Sequence, residues 1–228
     1  MHVEIWSDIA CPWCYVGKRR FEAALAAFEH SDAVTVTWRS FELDPGAPAE
    51  RTGERAAHLA EKYGVSVDEA RAMEDRMAQT AAGDGLDFRF DRARSGNTRD
   101  AHRLVHLAAD HGLQDAMKER LFRAYLTDGE LISDHETLLR LAREVGVPET
   151  EVRALLASDR YATEVVEEER LGAALGITAV PFFVVDRAIG AAGAQPADVL
   201  VGLLDQAWAQ RTPIPVVTGG EACGPDGC

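Results

Sequence analysis

The chain has 228 residues, 46% of them hydrophobic and 27% charged, the balance of an ordinary globular protein, and its formal net charge is −14. So acidic a chain repels phosphate backbones, which argues against nucleic acid as a partner, and no apolar run approaches the roughly 18 residues that span a bilayer, so no membrane segment is expected. The length suits one domain carrying an insertion, or one and a half domains.

The first stretch, HVEIWSDI, is rich in β-formers and predicts a strand over about residues 2–8. From Pro12 the apolar residues Phe21, Leu25 and Phe28 recur at helical spacing, which predicts a helix over about 12–30 with Pro12 tolerated in its first turn. VTVTWRSFEL alternates strictly over 34–43, a second strand. A β-α-β opening implies parallel strands joined by a right-handed crossover.

Residues 45–176 read as mostly helical. After the loop DPGAPAERTG, a helix ends at Gly64, whose position suits a C-cap. Ser66 and Glu69 have capping-box spacing and open the next helix; Ser133 and Glu136 repeat it further on. GDGLDFRFDRARSG is expected to be a linker, NTRDAHRLVHLAADHG a helix from an Asn97 cap to Gly112, and four more helices follow. Strands return in VPFFVVD and RAIGAAG, a hairpin turning near Asp186 and Arg187, and QPADVLVGLLDQAWAQ closes as an amphipathic helix. The order is therefore β-α-β, helical insertion, β-β-α. The inserted helices are expected to pack as a cap beside the sheet.

The four cysteines form two close pairs at the chain ends, Cys11 with Cys14 and Cys223 with Cys228, and the 208 residues from 15 to 222 hold none. A structural disulfide framework would scatter its cysteines, so this arrangement points to paired chemistry. The N-terminal stretch has no basic segment followed by an apolar one, which leads us to expect a cytoplasmic protein, where a disulfide is more often catalytic than structural. Cys11 follows a strand and lies at a helix N-terminus, where unpaired N–H groups and the helix dipole favour a thiolate. Cys14 lies one turn further in. Cys11 is thus the attacking thiol and Cys14 the resolving thiol of a disulfide exchange. Zinc would need a second pair in compact arrangement, and Cys223 and Cys228 are distant and differently spaced, so no metal site is expected. Trp13, between the cysteines, is expected to be exposed and to offer substrate an apolar contact.

SDIACPWCYVG at 7–17, GNTRDAHRL at 96–104 and GITAVPFFVVD at 176–186 together resemble the thioredoxin superfamily, in particular the DsbA-like branch and its FrnE-like subgroup. The resemblance runs over essentially the whole chain. It implies an α/β thioredoxin-like fold built from residues 1–44 and 177–212, an inserted helical domain over 45–176, and a mobile tail over 213–228 carrying the C-x4-C pair. It also implies that Pro181 is cis and faces the active-site thiols, so that the backbone of Val180 pairs with an extended substrate. Asn97 and His102 belong to the second motif, which the resemblance places along a substrate groove. Asn97 equally suits a helix cap, and the His102–His106 spacing, although metal-like, lacks a third ligand. Thioredoxin carries a buried acid six positions before its first active-site cysteine; here that position is Ile5. Glu4 is expected on the other face of the strand, and Asp8 is the candidate for adjusting thiol protonation. Cys223 and Cys228, separated by the turn-forming GPDG, form an auxiliary redox pair that exchanges with Cys11 and Cys14, or else a labile metal site or two exposed thiols.

The activity implied is that of a thiol–disulfide oxidoreductase that reduces, forms or isomerises disulfides. Its partners would be disulfide-containing proteins or small thiols. It would need no cofactor beyond its own disulfide, with a low-molecular-weight thiol as electron donor. The alternative on the same fold is a glutathione-type transferase or isomerase, resembling the kappa class or hydroxychromene carboxylate isomerases, which generally carry serine at the position of Cys11. A metal-binding or interaction protein using the tail pair and the histidines is a third. The sequence specifies no oligomeric state.

Overall fold

In the computed structural model, which describes residues 1–211, the first strand lies inside a four-stranded sheet of order β2-β1-β3-β4. β1 (His2–Ser7) runs parallel to β2 (Thr35–Ser40) and antiparallel to β3 (Phe182–Val185), which pairs antiparallel with β4 (Ile189–Ala192). α1 (Pro12–Ala27) connects β1 to β2, and α9 (Ala197–Ala209) packs beside it on one sheet face. Alternation along β1 sends Ile5 into the core shared with α1, while Glu4 and Trp6 turn to the opposite face. Glu4 is buried there between the guanidinium groups of Arg39 and Arg187. The hairpin turns at Asp186 and Arg187, both with positive φ (48° and 54°). Asp186 holds that turn to β1, since its side chain accepts from the His2 N–H at 2.6 Å and its own N–H donates to the His2 carbonyl.

Between β2 and β3 lie α2 (Arg55–Tyr63), α3 (Val67–Gly83), α4 (Arg99–Asp110), α5 (Gln114–Arg123, continued by a wider π turn to Asp128), α6 (His135–Val145), α7 (Glu149–Leu156) and α8 (Ala162–Ala174). Gly64 ends α2 in the left-handed region, and Ser66 and Glu69 form the complete capping box of α3. Two capping expectations shift by one residue. Asp134, not Ser133, caps α6 by accepting from the Thr137 N–H, and the Ser133 hydroxyl donates instead to the Ala49 carbonyl. Thr98, not Asn97, is the N-cap residue of α4. The stretch expected as a linker buries Phe88 and Phe90, and Tyr15 of α1 stacks between Phe88 and Phe122 of α5 at 5.9 and 5.0 Å. That aromatic stack joins the sheet domain to the helices.

The inserted helices do not all pack beside the sheet. α8 lies on the sheet face opposite α1. The Trp6 indole donates to the Glu168 carbonyl at 2.9 Å, and a Cβ on Gly172 would stand 2.9 Å from that indole nitrogen, so only glycine lets α8 come this close. The Glu168 carboxylate accepts from Arg39 and from the Ser40 N–H, each at 2.7 Å. A face bearing Trp6 and a buried carboxylate needs a cover with matching donors and acceptors, and α8 supplies it.

Candidate active site

The first βα turn builds the site. After β1 the chain bends through Asp8–Ala10, and the Cys11 N–H closes the bend on the Asp8 carbonyl at 3.1 Å. Cys11 is the N-cap residue of α1, in extended conformation, and Pro12 occupies the first helical turn, where its missing N–H costs nothing. Cys11 is 5% exposed, Cys14 one turn on is fully buried, and both are free thiols. Trp13 points outward, 44% exposed.

The Val180–Pro181 peptide is cis. It sets the Val180 carbonyl in front of the attacking side of the pair, where it accepts from the Cys11 thiol at 3.6 Å. A feature not read from the sequence makes this approach possible. A Cβ on Gly17 would lie 2.8 Å from Pro181 Cγ and 3.4 Å from its Cβ, so the glycine in CPWCYVG lets α1 rest directly on the proline ring. Cys11, Trp13 and Val180 open onto a cleft of about 980 Å³. Its far wall is formed by α2 and α3, and its rim carries the exposed side chains of Trp13, Leu43 and Tyr63.

Of the remaining expected residues, Asp8 is at the site but its side chain faces inward. Its carboxylate accepts from the Leu43 N–H at 2.8 Å and from the Ala10 N–H at 3.4 Å, and pairs with His102 Nε2 at 3.3 Å. Burial pushes the Asp8 acid up, but His102, the Leu43 N–H and the nearby Lys118 charge outweigh it and hold it below its ordinary value. His102 is 1% exposed beneath Asp8, so it does not reach the cleft, and burial keeps its imidazole below its ordinary pKa against the pull of Asp8. Asn97 does not line the cleft either. Its amide donates to the Pro45 and Ala47 carbonyls and its oxygen accepts from the Arg99 N–H, tying the loop after β2 to the start of α4. His106 pairs with Glu168 and with Ser40, each at 3.2 Å, and among the described residues no cluster of three potential metal ligands occurs. Cys223 and Cys228 lie outside the described residues.

Sequence reasoning missed Lys118. It is fully buried on α5, and its ammonium donates to the Ser7 carbonyl at 3.2 Å, under the β1–α1 turn. The signal was its spacing: Lys118 is four residues before Phe122, on the helix face that also buries Met117 and Leu121. Burial lowers Lys118 to about 8. Burial raises Cys14 well above the ordinary thiol value, helped by its hydrogen bond with Cys11, while the Asp8 N–H and the Lys118 charge work the other way.

The geometry has relatives. The model of a DSBA-like thioredoxin domain matches residues 2–205. A solved structure of a probable DsbA oxidoreductase from Streptomyces coelicolor is 50% identical, with a TM-score of 0.92 over 100% of this chain and 98% of that one. An uncharacterized protein, YwbO of Bacillus subtilis (strain 168), is 27% identical over 199 residues, 85% of this chain and 92% of its own length. The cytosolic disulfide reductase DsbM from Pseudomonas aeruginosa, solved with GSH, shares the fold at 20% identity, with a TM-score of 0.66 over 92% of this chain and 100% of that one.

Proposed function

The chain belongs to the DSBA-like thioredoxin domain family, and on that footing we propose that it is a thiol–disulfide oxidoreductase whose working group is the Cys11–Cys14 pair. The observation that carries the reading is the asymmetry of the two thiols: Cys11 opens on the cleft against the Val180 carbonyl, and Cys14 is sealed one helical turn behind it. In the reducing direction the Cys11 thiolate attacks a substrate disulfide and forms a mixed disulfide, expelling one substrate thiolate. Cys14 then attacks Cys11, the substrate leaves as its second thiolate, and Cys11–Cys14 is left oxidised. A low-molecular-weight thiol returns the pair to the dithiol state. Run backwards, the same steps form disulfides, and release before resolution isomerises them. The Val180 backbone is the edge against which an extended substrate segment lies, and Trp13 gives that segment an apolar contact.

Nothing in a transferase or isomerase mechanism calls for Cys14, and this is what favours the redox reading over that alternative. We keep the cytoplasmic placement expected from the N-terminal stretch as part of this proposal; no described helix is long and apolar enough to cross a membrane. The test is equilibration against glutathione redox buffers, with the disulfide state read by alkylation and mass spectrometry. The expected result is a reversible Cys11–Cys14 bond and loss of disulfide turnover in Cys11→Ser. A pair that stays reduced in every buffer refutes the proposal and brings the transferase reading forward.

A further inference from the structure

Lys118 is a fully buried cation with a single hydrogen bond, to the Ser7 carbonyl, and no carboxylate within ion-pair distance among the described residues. The rings of Trp38 and Phe122 flank its ammonium at 5.8 and 5.4 Å. The Ser7 hydroxyl, on the residue whose carbonyl takes that bond, has no hydrogen-bond partner among the described residues. Leucine or methionine would serve the packing of α5 at lower cost, since an unpaired buried charge is expensive. The charge therefore calls for a reason outside packing.

The ionisable groups facing Lys118 come from four places: Cys11 and Cys14 on α1, Asp8 in the turn after β1, His102 on α4 and Glu168 on α8. Two of them are already satisfied. The Asp8 carboxylate is held by His102 and by the Leu43 N–H. Glu168 is held by Arg39, His106 and the Ser40 N–H. His102 is itself taken up by Asp8, and Cys11 looks into the cleft toward Val180. That leaves Cys14, which is sealed from solvent and has no cation other than Lys118 among its leading neighbours.

We propose that Lys118 is the counter-charge of the Cys14 thiolate, and that it governs the resolving step of disulfide exchange rather than the first attack. This rests on the reading of Cys11 and Cys14 as a redox pair. In the mixed disulfide, Cys14 loses its proton and its thiolate attacks Cys11 Sγ; the bond between Cys11 and the substrate sulfur breaks, the electron pair leaves on that sulfur, and the proton given up by Cys14 is balanced by the one that sulfur takes up. Lys118 keeps its own proton throughout. It acts through Cys14 and is a positioning residue, brought to the redox site by the inserted helices. Burial drives both groups toward their neutral forms, and the charge of each works against that in the other.

The test uses dithiobis-nitrobenzoate, an aromatic disulfide whose released thiolate absorbs visible light, on the full chain carrying Cys223→Ser and Cys228→Ser. Attack by Cys11 releases the first coloured thiolate and resolution by Cys14 the second, so one trace reports both steps. In Lys118→Met the first release is expected at the parental rate. The second is expected at least about tenfold slower, and its rise with pH displaced about one unit or more to the alkaline side. In a Cys11→Ser background, thiolate absorbance should show Cys14 ionising at higher pH in the Met variant than in its Lys118 parent. Lys118→Gln, which keeps a donor for the Ser7 carbonyl but no charge, repeats the comparison if the Met variant misfolds. Equal second phases with and without Lys118 overturn the inference while leaving the redox reading intact. A parent that releases only the first thiolate overturns the redox reading, and the inference with it.

Discussion

Glu168 offers a quantitative check on how the inserted helices are fastened to the sheet. Its carboxylate is nearly buried, and it accepts from Arg39, from the Ser40 N–H and from His106. Burial alone would raise its pKa, but those donors win and hold it at about 2, against an ordinary value of 4.5. A group depressed in the folded state contributes stability above its unfolded pKa and loses it as pH falls toward the folded one. Glu168→Gln mimics the neutral acid, so at neutral pH it should cost about 3 kcal/mol. The difference from wild type should hold down to about pH 5 and then shrink, with about 1 kcal/mol of it gone by about pH 3.5. Urea unfolding followed by tryptophan fluorescence at a series of pH values measures both quantities; the Trp6 indole, bonded to the Glu168 carbonyl, reports on this face. A gap below about 1 kcal/mol, or one that does not change between neutral pH and about pH 3.5, would refute the account of α8 as an electrostatically anchored cover.

Gly17→Ala sets two effects against each other: up to about 1 kcal/mol of helix propensity gained, and about 1–3 kcal/mol lost to overpacking against Pro181. The clash should win, because the opposing atom is a rigid ring at 2.8 Å, so a lower unfolding midpoint and slower attack by Cys11 on dithiobis-nitrobenzoate are expected. A more stable variant that reacts at the parental rate would contradict this. Lys118→Met should be more stable than wild type by up to about 3 kcal/mol below about pH 8. The sign follows from the depressed value of Lys118, about 8 against 10.5: in that window the unfolded chain holds the extra proton, wild-type stability rises with pH, and the advantage of the variant fades toward pH 10.5. Denaturant midpoints at two pH values either side of the window decide it.

What could be read from the sequence was local. Alternation in β2, the capping box at Ser66, the αL glycine after α2 and the thiol pair at the head of α1 are each written in a few adjacent residues, and each is where the sequence placed it. One-residue errors arose where two neighbours compete for the same role. Ser133 and Asp134 both suit a helix start, and the choice fell to Asp134 because the Ser133 hydroxyl found the Ala49 carbonyl across the fold. Asn97 lost the cap position to Thr98 while still accepting from the Arg99 N–H. The stretch before α4 reads as a linker, but its Phe88 stacks on Tyr15 and meets Phe90 edge-on, and the contact with Tyr15 joins segments some seventy residues apart whose pairing no short window records.

The same distinction explains why the outer face of the site was legible and its inner face was not. Cys11, Cys14 and Trp13 are consecutive enough to announce themselves, whereas the groups beneath their turn arrive from α4 and α5, 94 and 111 residues after the turn residues they bond. His102 closes on Asp8 and Lys118 on Ser7, so each helix sends a side chain into the floor of the βα turn that carries the pair. The insertion therefore does more than wall the cleft. Without α4 and α5 the Asp8 carboxyl would lose the His102 bond and the Lys118 charge that help hold it below its ordinary value. The role proposed for Lys118 places control of Cys14 at the contact between the two parts of the chain, and it predicts that substitutions of Lys118 alter disulfide exchange without touching the cleft.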